Sequence, residues 1–116
     1  MFQKRRSKYG NIKTTVDNIK FDSVKEARRY AELKLLLRSG NITDLKIQPK
    51  FEILEAYTIN GRKVRAVHYI ADFEYIENGK RIVEDVKSSE SFKTKEYRLK
   101  KKMFEKRYGI EILETY

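Results

Sequence analysis

The sequence reads YIADFEYIENGKRIVEDVK over residues 69–87. Asn78-Gly79 is a strong signal for a two-residue hairpin turn, because both residues readily adopt positive φ. β-Forming residues alternate with polar ones before the turn, and the run Arg81 to Lys87 predicts a strand after it. The stretch therefore predicts two antiparallel strands joined by a tight turn.

The position of this turn also predicts which residues face each other. Asp72 and Asp85 lie equally far from the Asn78-Gly79 pair, so a turn centred there places them opposite one another. Opposed residues of a hairpin share a face, and side chains alternate along each strand. Asp72, Asp85 and Lys87 are thus expected to converge, whereas Glu84 points to the other face.

Two carboxylates directly opposite each other repel, so the aspartate pair needs a compensating partner. A divalent cation is one such partner: Mg²⁺ prefers carboxylate and water oxygens, and a bound metal polarises a phosphodiester oxygen and lowers the pKa of its water. Lys87 beside it would orient that water or stabilise the charge developing on the phosphate. The alternative is an ion pair between Lys87 and one aspartate, which requires no metal.

Further strands surround this hairpin. A second Asn-Gly turn, Asn60-Gly61, predicts that Phe51–Leu54 and the alternating run Val64–Tyr75 are antiparallel neighbours, so that three consecutive strands form a meander. Upstream, the turn-prone pair Asp17-Asn18 predicts a short hairpin over residues 11–21.

Two helices flank the predicted meander. Ser23-x-x-Glu26 fits a capping box ahead of an amphipathic segment that ends at Gly40. The second helix is predicted over residues 94–108. A final strand follows over 110–113, and it should run parallel to a meander strand because a helix precedes it.

The order hairpin, helix, three strands, helix, strand predicts an α/β (α+β) fold with a mixed central sheet flanked by helices. Residues 42–47 carry too short a pattern to assign. Residues 1–10 are rich in Lys and Arg and are expected to form a basic flexible arm. Residues 11–116 then form one domain, as the length of 116 residues favours.

The composition limits the classes of partner and site that the protein can have. The net charge of +10 attracts polyanions such as nucleic acid, an anionic membrane surface or an acidic protein. The chain has no cysteine and one histidine, which excludes disulfides, thiolate zinc sites, cysteine nucleophiles and multi-histidine metal sites. No apolar run approaches the ~20 residues of a membrane span, and no secretory signal is recognisable, so a cytoplasmic protein is expected.

Other catalytic motifs are missing from the sequence. It contains no glycine-rich phosphate loop and no G-x-S-x-G nucleophile elbow. The lone His68 lies within a predicted strand, where a histidine is more typical of a packed or surface residue than of a functional one.

The motif Tyr69-Ile70-Ala71-Asp72 followed by Glu84-Asp85-Val86-Lys87 resembles the signature of the PD-(D/E)xK nuclease superfamily, and the element order resembles its αβββαβ restriction-endonuclease-like core. Flanking segments are similar to a family of small phage proteins described as endonucleases or Holliday-junction resolvase-like proteins. These segments are Lys8-Tyr9-Gly10-Asn11, Phe21-Asp22-Ser23, Glu26-Ala27-Arg28-Arg29-Tyr30, Gln48-Pro49-Lys50-Phe51, Thr94-Lys95-Glu96-Tyr97-Arg98-Leu99-Lys100 and Tyr108-Gly109-Ile110.

The resemblance implies roles for the residues of the motif. Asp72 and Asp85 would ligate Mg²⁺ or Mn²⁺, with the Val86 carbonyl as a further ligand, and Lys87 would be the catalytic lysine that positions the attacking water. Glu26 matches a carboxylate that many relatives add to the site. The capping box explains a glutamate there equally well without a metal.

Two positions depart from the simplest match. Ala71 stands where the signature has proline, a substitution that is common in the superfamily. Glu84 is a rival of Asp85 as the acidic ligand, but strand alternation favours Asp85.

The second predicted helix carries a basic face that would contact the phosphate backbone, although such a face is also typical of a simply solvated helix. Its cations, with one just before the helix, are Lys93, Lys95, Arg98, Lys101 and Lys102. Arg28 and Arg29 are weaker candidates. Phe92 and Tyr97 could stack on bases, with Tyr97 more typical of a core residue.

Together these features predict a Mg²⁺- or Mn²⁺-dependent endonuclease that hydrolyses DNA, with branched or structured DNA as substrate, in phage DNA metabolism and recombination. A symmetric cut of two strands would need a homodimer, formed through the exposed hairpin or either helix. The main alternative is a nucleic-acid-binding accessory protein with a vestigial nuclease site. A third is a protein that binds and inhibits host machinery.

Overall fold

The computed structural model describes residues 12–88 and 93–116, and the predicted basic arm of residues 1–10 lies outside them. Within those ranges the chain forms ten strands and two helices. In chain order they are β1 (Thr14–Val16), β2 (Ile19–Phe21), α1 (Val24–Arg38), β3 (Thr43–Ile47), β4 (Lys50–Leu54), β5 (Tyr57–Ile59), β6 (Arg62–Val64), β7 (Val67–Ile70), β8 (Phe73–Glu77), β9 (Lys80–Val86), α2 (Lys95–Tyr108) and β10 (Leu113–Thr115).

Both helices begin and end where the sequence predicts. The Ser23 hydroxyl accepts a hydrogen bond from the Glu26 N–H (3.1 Å), and the Thr94 hydroxyl caps α2 in the same way. Gly40 and Gly109 adopt positive φ just beyond the two helices, a conformation that glycine takes without strain. Neither helix of the described ranges combines the length and apolar character that crossing a membrane requires.

The central sheet has the order β10-β9-β8-β3. β10 runs parallel to β9 and the other two pairings are antiparallel, which confirms the predicted mixed α+β fold and the predicted direction of the last strand. The last strand begins three residues later than expected. The reason is local: Glu105 on α2 accepts the Ile112 N–H (3.0 Å), so this N–H is not available to the strand ladder.

The predicted meander is present, but its strands are interrupted. The run Val64–Tyr75 was expected to be one strand, and it is divided into β6, β7 and β8. Gln48 at positive φ and the following Pro49 separate β3 from β4 opposite the break between β7 and β8. Hydrogen bonds from Gln48 N to the Asp72 carbonyl (2.9 Å) and from Ala71 N to the Pro49 carbonyl (3.1 Å) hold the two broken strands together.

Apolar clusters fill both sides of the sheet. Phe21, Leu33 and Phe73 belong to the cluster beneath α1, and Val83 and Phe104 belong to the one beneath α2. Side chains alternate along β9, so Ile82 packs against the cluster beneath α1 and Val83 belongs to the one beneath α2, whereas Phe73 and Tyr75 of β8 both belong to the cluster beneath α1. The same alternation decides which acidic residues of β9 face which helix.

Glu84 lies on the α1 side of β9 and is fully buried (0 % exposed). Its carboxylate is paired with the Arg29 guanidinium at 2.7 and 3.0 Å, and it accepts hydrogen bonds from the hydroxyls of Tyr75 (2.7 Å) and Thr115 (3.1 Å). These contacts tie α1 to β8, β9 and β10. Glu84 therefore stabilises the interior of the fold. Arg29, which the sequence suggested as a weak candidate for DNA contact, instead pairs with this buried carboxylate.

Candidate active site

The end of β9 presents Asp85 and Lys87 on the α2 side of the sheet. The Lys87 ammonium lies 3.1 Å from Oδ1 of Asp85, which is buried. The other oxygen, Oδ2, accepts a hydrogen bond of 2.5 Å from the Tyr69 hydroxyl. This ion pair is the contact that the metal-free alternative predicts. Whether it is enough to neutralise the acidic groups of the site depends on the other charges nearby.

Asp72 lies at the bend between β7 and β8, opposite Asp85. Its N–H donates to the Glu84 carbonyl (3.1 Å), which extends the β8–β9 ladder by one residue in the register that the Asn78-Gly79 turn predicts. Its Oδ2 accepts the Val86 N–H at 2.7 Å. The Asp72 carboxyl lies within hydrogen-bonding reach of Asp85, so the structure brings the two predicted side chains together.

The Asp72 carboxyl is electrostatically uncompensated. Burial and, next to it, the negative charge of Asp85 raise its pKa from 3.8 to about 9, and the nearby Glu26 adds to the rise. The Val86 N–H opposes the rise only in part. Among the described residues Asp72 has no ion-pair partner, because Lys87 is paired with Asp85. The site therefore contains more carboxyl groups than its own lysine could neutralise if all of them were ionised.

Glu26 enters the same site from the first turn of α1. Its Oε2 accepts the Asp22 N–H (3.1 Å), one residue before the Ser23 N-cap, so the side chain secures the chain at the start of the helix. Its carboxyl also lies within hydrogen-bonding reach of Asp72. Burial raises its pKa, and the charges of Asp22 and Asp85 raise it further. The cap and the acidic site are therefore compatible roles for one side chain.

Lys87 is held at both its backbone and its side chain. Its N–H donates to the Thr115 carbonyl (2.7 Å), and its carbonyl accepts from the Lys25 ammonium (3.1 Å). Its own ammonium lies 3.5 Å from the centre of the Tyr97 ring. The Tyr97 hydroxyl in turn donates to Glu114 (2.6 Å), which orients the ring. Tyr97 thus supports Lys87 from within the packed structure.

These side chains line an open cleft of about 390 Å³. Its wall also includes residues that were not predicted as part of the site, among them His68 from β7, and Glu96 and Lys100 from the first turns of α2. Lys100 and Glu96 form an ion pair at 3.3 Å. Their four-residue spacing shows in the sequence, but their position at the cleft depends on how α2 packs on the sheet.

Over residues 6–114 the chain matches the family model described as Protein of unknown function (DUF1064). The chain belongs to this family. No curated protein and no solved structure matches it. The family match spans every residue of the cleft, so the acidic site lies within the part of the chain that the DUF1064 model describes.

In this DUF1064 protein the predicted basic face of α2 is divided. Lys93 pairs with Glu114 (2.7 Å) and Lys101 with Glu105 (3.2 Å), so both engage carboxylates of the protein itself. The remaining three candidates, Lys95, Arg98 and Lys102, are exposed. Their spacing places them on the side of α2 turned away from Phe104 and from the cleft. Phe92 lies outside the described residues.

The described residues contain no set of three or more His, Asp or Glu side chains already arranged around a metal position. The Lys87–Asp85 ion pair explains part of this, since it engages Oδ1 of Asp85 on the Lys87 side. What the site offers is an acidic cluster of Asp72, Asp85 and Glu26 beside one ammonium group.

Asp72→Asn is expected to stabilise the metal-free protein by roughly 1–3 kcal/mol near neutral pH. The folded chain retains on Asp72 a proton that the unfolded chain, with a pKa of 3.8, releases. Stability from this carboxyl is therefore lost as the pH rises from about 4 towards 9. An asparagine keeps an acceptor for the Val86 N–H and presents an amide donor to Asp85.

Thermal unfolding in EDTA across this pH range measures the effect. The melting temperature of the variant should exceed that of the unmodified protein, by a margin that widens from about pH 5 to about pH 8. A margin independent of pH, or a less stable variant, would contradict the expected electrostatic cause.

Proposed function

We propose that this protein is a divalent-metal-dependent endonuclease that hydrolyses phosphodiester bonds in DNA. The observation that carries the proposal is the position of Asp72 beside Asp85, two mostly buried carboxylates on one face of neighbouring strands. A purely structural role would favour a partner of opposite charge for each of them. Within residues 12–88 and 93–116 only Asp85 has one, in Lys87.

The donor set fits Mg²⁺ or Mn²⁺. Asp72, Asp85 and Glu26 together carry three negative charges when ionised, and Lys87 offsets one, leaving the two that a divalent cation neutralises. The N–H of Val86 points to Asp72, and its carbonyl leaves the strand on the same side. The three carboxylates and this carbonyl would hold the ion. When bound, it would polarise the scissile phosphate and lower the pKa of a water molecule.

Lys87 supplies the positive charge that the protein itself contributes to the reaction. Hydrolysis adds a water oxygen to phosphorus and breaks the bond to the leaving sugar oxygen, with negative charge growing on the phosphate oxygens. An ammonium held between Asp85 and the Tyr97 ring is already oriented, so little reorganisation is needed when that charge develops. Lys87 is therefore the residue proposed to orient the water or to stabilise the phosphate.

We propose DNA as the substrate because a net charge of +10 suits a polyanion. The described residues form the central sheet, the adjoining β4–β7 pair, two helices and two small hairpins, with no separate module for base readout. Recognition by shape follows, which favours branched or structured DNA such as a Holliday junction, as the resemblance to phage proteins implies. Paired cuts in two strands would then come from a homodimer.

The test is a cleavage assay on four-way junctions, nicked duplex, linear duplex and single-stranded RNA, each with Mg²⁺, with Mn²⁺ and with EDTA. The expected result is cleavage of branched DNA that requires the metal. Binding of the same DNA without any cleavage would overturn the proposal and favour the non-catalytic accessory protein. Cleavage that persists in EDTA would also overturn it.

A further inference from the structure

The hairpin formed by β5 and β6 stands apart from the rest of the fold. Its strands pair with each other, from Tyr57 opposite Val64 to Ile59 opposite Arg62, and contact no other helix or strand of the described residues. We call residues 55–66 the β5–β6 arm. An isolated two-stranded hairpin is marginally stable in water, so such an arm is expected to have a partner.

The arm carries cations that nothing in the described protein neutralises. Arg62, Lys63 and Arg65 are exposed and form no ion pair with any described carboxylate. Other arginines differ: Arg29 and Arg81, for example, are paired with carboxylates. Glu55 is the one acidic residue of residues 55–66, which leaves a net charge of +2.

One face of the arm combines Arg62 with exposed apolar groups, and Lys63 lies on the opposite face. Opposed residues of a hairpin share a face, so Tyr57, Ile59, Arg62 and Val64 lie together. Tyr57 is 47 % exposed and Ile59 is 46 % exposed. A two-stranded ribbon fits the major groove of a duplex, its cations neutralise phosphates, and its apolar side chains can contact thymine methyl groups in that groove. The arm therefore has the chemistry of a nucleic-acid contact.

A contact between two copies of the arm fits the charges less well. A symmetric dimer places the same surface of each protomer against the other, so it would gather three arm cations and only one arm carboxylate, Glu55, from each protomer. Crowding like charges in this way is destabilising. A polyanion carries negative charge and would therefore be attracted to the positively charged arm.

The arm is also connected to the cleft by one short segment of chain. β6 leads into β7, whose His68 and Ile70 line the cleft, and β7 leads to Asp72. Asp72 follows Arg62 by ten positions in the chain, so the two residues lie at most about 35 Å apart. This is about one helical turn of duplex DNA, roughly 34 Å. A duplex whose phosphate occupies the cleft thus has further phosphates within reach of the arm.

We propose that the β5–β6 arm binds the nucleic-acid duplex that flanks the cleft, up to one helical turn from the bond to be cut. The proposal rests on the proposed function for the presence of nucleic acid in the cleft. The test of the arm does not depend on nuclease activity, because binding is measured in EDTA.

The test compares three proteins by fluorescence anisotropy in EDTA, on labelled duplexes of about 24 and about 8 base pairs, at several salt concentrations. The arm variant is R62Q/K63Q/R65Q. Its matched control replaces three exposed cations elsewhere, R38Q/K80Q/K106Q, and removes the same total charge.

The arm variant should bind the longer duplex at least tenfold more weakly than the control does. Its salt slope should be smaller by about 2–3, near 0.9 for each phosphate that the arm no longer neutralises. On the short duplex the two variants should differ less. Equal losses in both variants, or no binding by the unmodified protein, would overturn the proposal. Arm-dependent binding without cleavage would overturn the proposed nuclease function alone.

A further variant tests self-association as the role of the arm. Y57S/I59S removes the exposed apolar groups without changing the charge. Sedimentation should give this variant and the unmodified protein the same mass, while its binding to the longer duplex weakens. A dimer that dissociates in this variant with DNA binding intact would assign the arm to a second copy of the chain and overturn the proposal.

Discussion

Asp85→Asn is expected to lower metal-dependent DNA cleavage about 1000-fold. A Lewis-acid metal contributes several kcal/mol to the stabilisation of a reacting phosphate, and about 4 kcal/mol corresponds to roughly a thousandfold in rate. The asparagine keeps an oxygen that can accept from the Tyr69 hydroxyl, so the packing around it is retained. It removes the charge that would hold both the metal and the Lys87 ammonium.

Asp44→Asn is the matched control for this experiment. Asp44 is exposed and adopts φ 53°, a conformation that asparagine also tolerates, so the substitution removes the same charge away from the cleft. Rates for both variants are compared on one junction substrate in Mg²⁺, after circular dichroism has shown that both are folded. Full activity of the Asp85 variant, or an equal loss in the control, would remove the proposed role of Asp85.

The relation between Asp72 and Asp85 was predictable because it depends on local chemistry. An Asn-Gly pair specifies a tight turn, the turn specifies the register, and the register with strand alternation specifies the shared face. No distant contact enters this chain of reasoning. Strand alternation also placed Glu84 on the opposite face, where the structure has it.

The features that the sequence did not reveal depend on packing between distant segments. Residues 42–47 carry too weak a pattern to assign, yet Thr43–Ile47 forms β3, because β8 offers it a partner edge. Lys93 and Lys101 look like exposed cations in a basic run, but Glu114 and Glu105 lie beside them once α2 docks. The sequence of a helix does not show whether a carboxylate from elsewhere in the fold lies beside one of its lysines.

The dual role of Glu26 illustrates the same limit. Its hydrogen bond at the start of α1 is local, since Glu26 accepts from the N–H of Asp22 four positions earlier. Its approach to Asp72 follows from the docking of α1 across the end of the sheet, which joins residues 46 positions apart in the chain. Sequence alone leaves the two roles as alternatives, and the geometry makes them compatible.

Arg29→Ala is expected to destabilise the fold by about 3–5 kcal/mol. The substitution leaves the Glu84 carboxylate fully buried, with hydroxyl donors from Tyr75 and Thr115 but no positive charge. Removing one partner of a buried ion pair lowers the stability by far more than the intact pair contributes. The remaining charge is then buried with neither water nor an opposite charge to stabilise it. A loss of this size is a large share of the 5–15 kcal/mol typical of a domain.

Denaturant unfolding of a set of variants separates this cause from a loss of packing. Arg28→Ala, the exposed neighbour on the same helix, should stay within about 0.5 kcal/mol of the unmodified protein. The double substitution of Met for both Arg29 and Glu84 should recover most of the stability lost by Arg29→Ala, because it removes the unpaired charge and keeps apolar volume in the interior. If the double variant were as unstable as the single one, an uncompensated Glu84 charge could not be the cause, and the guanidinium would have to act through its packing between α1 and the sheet.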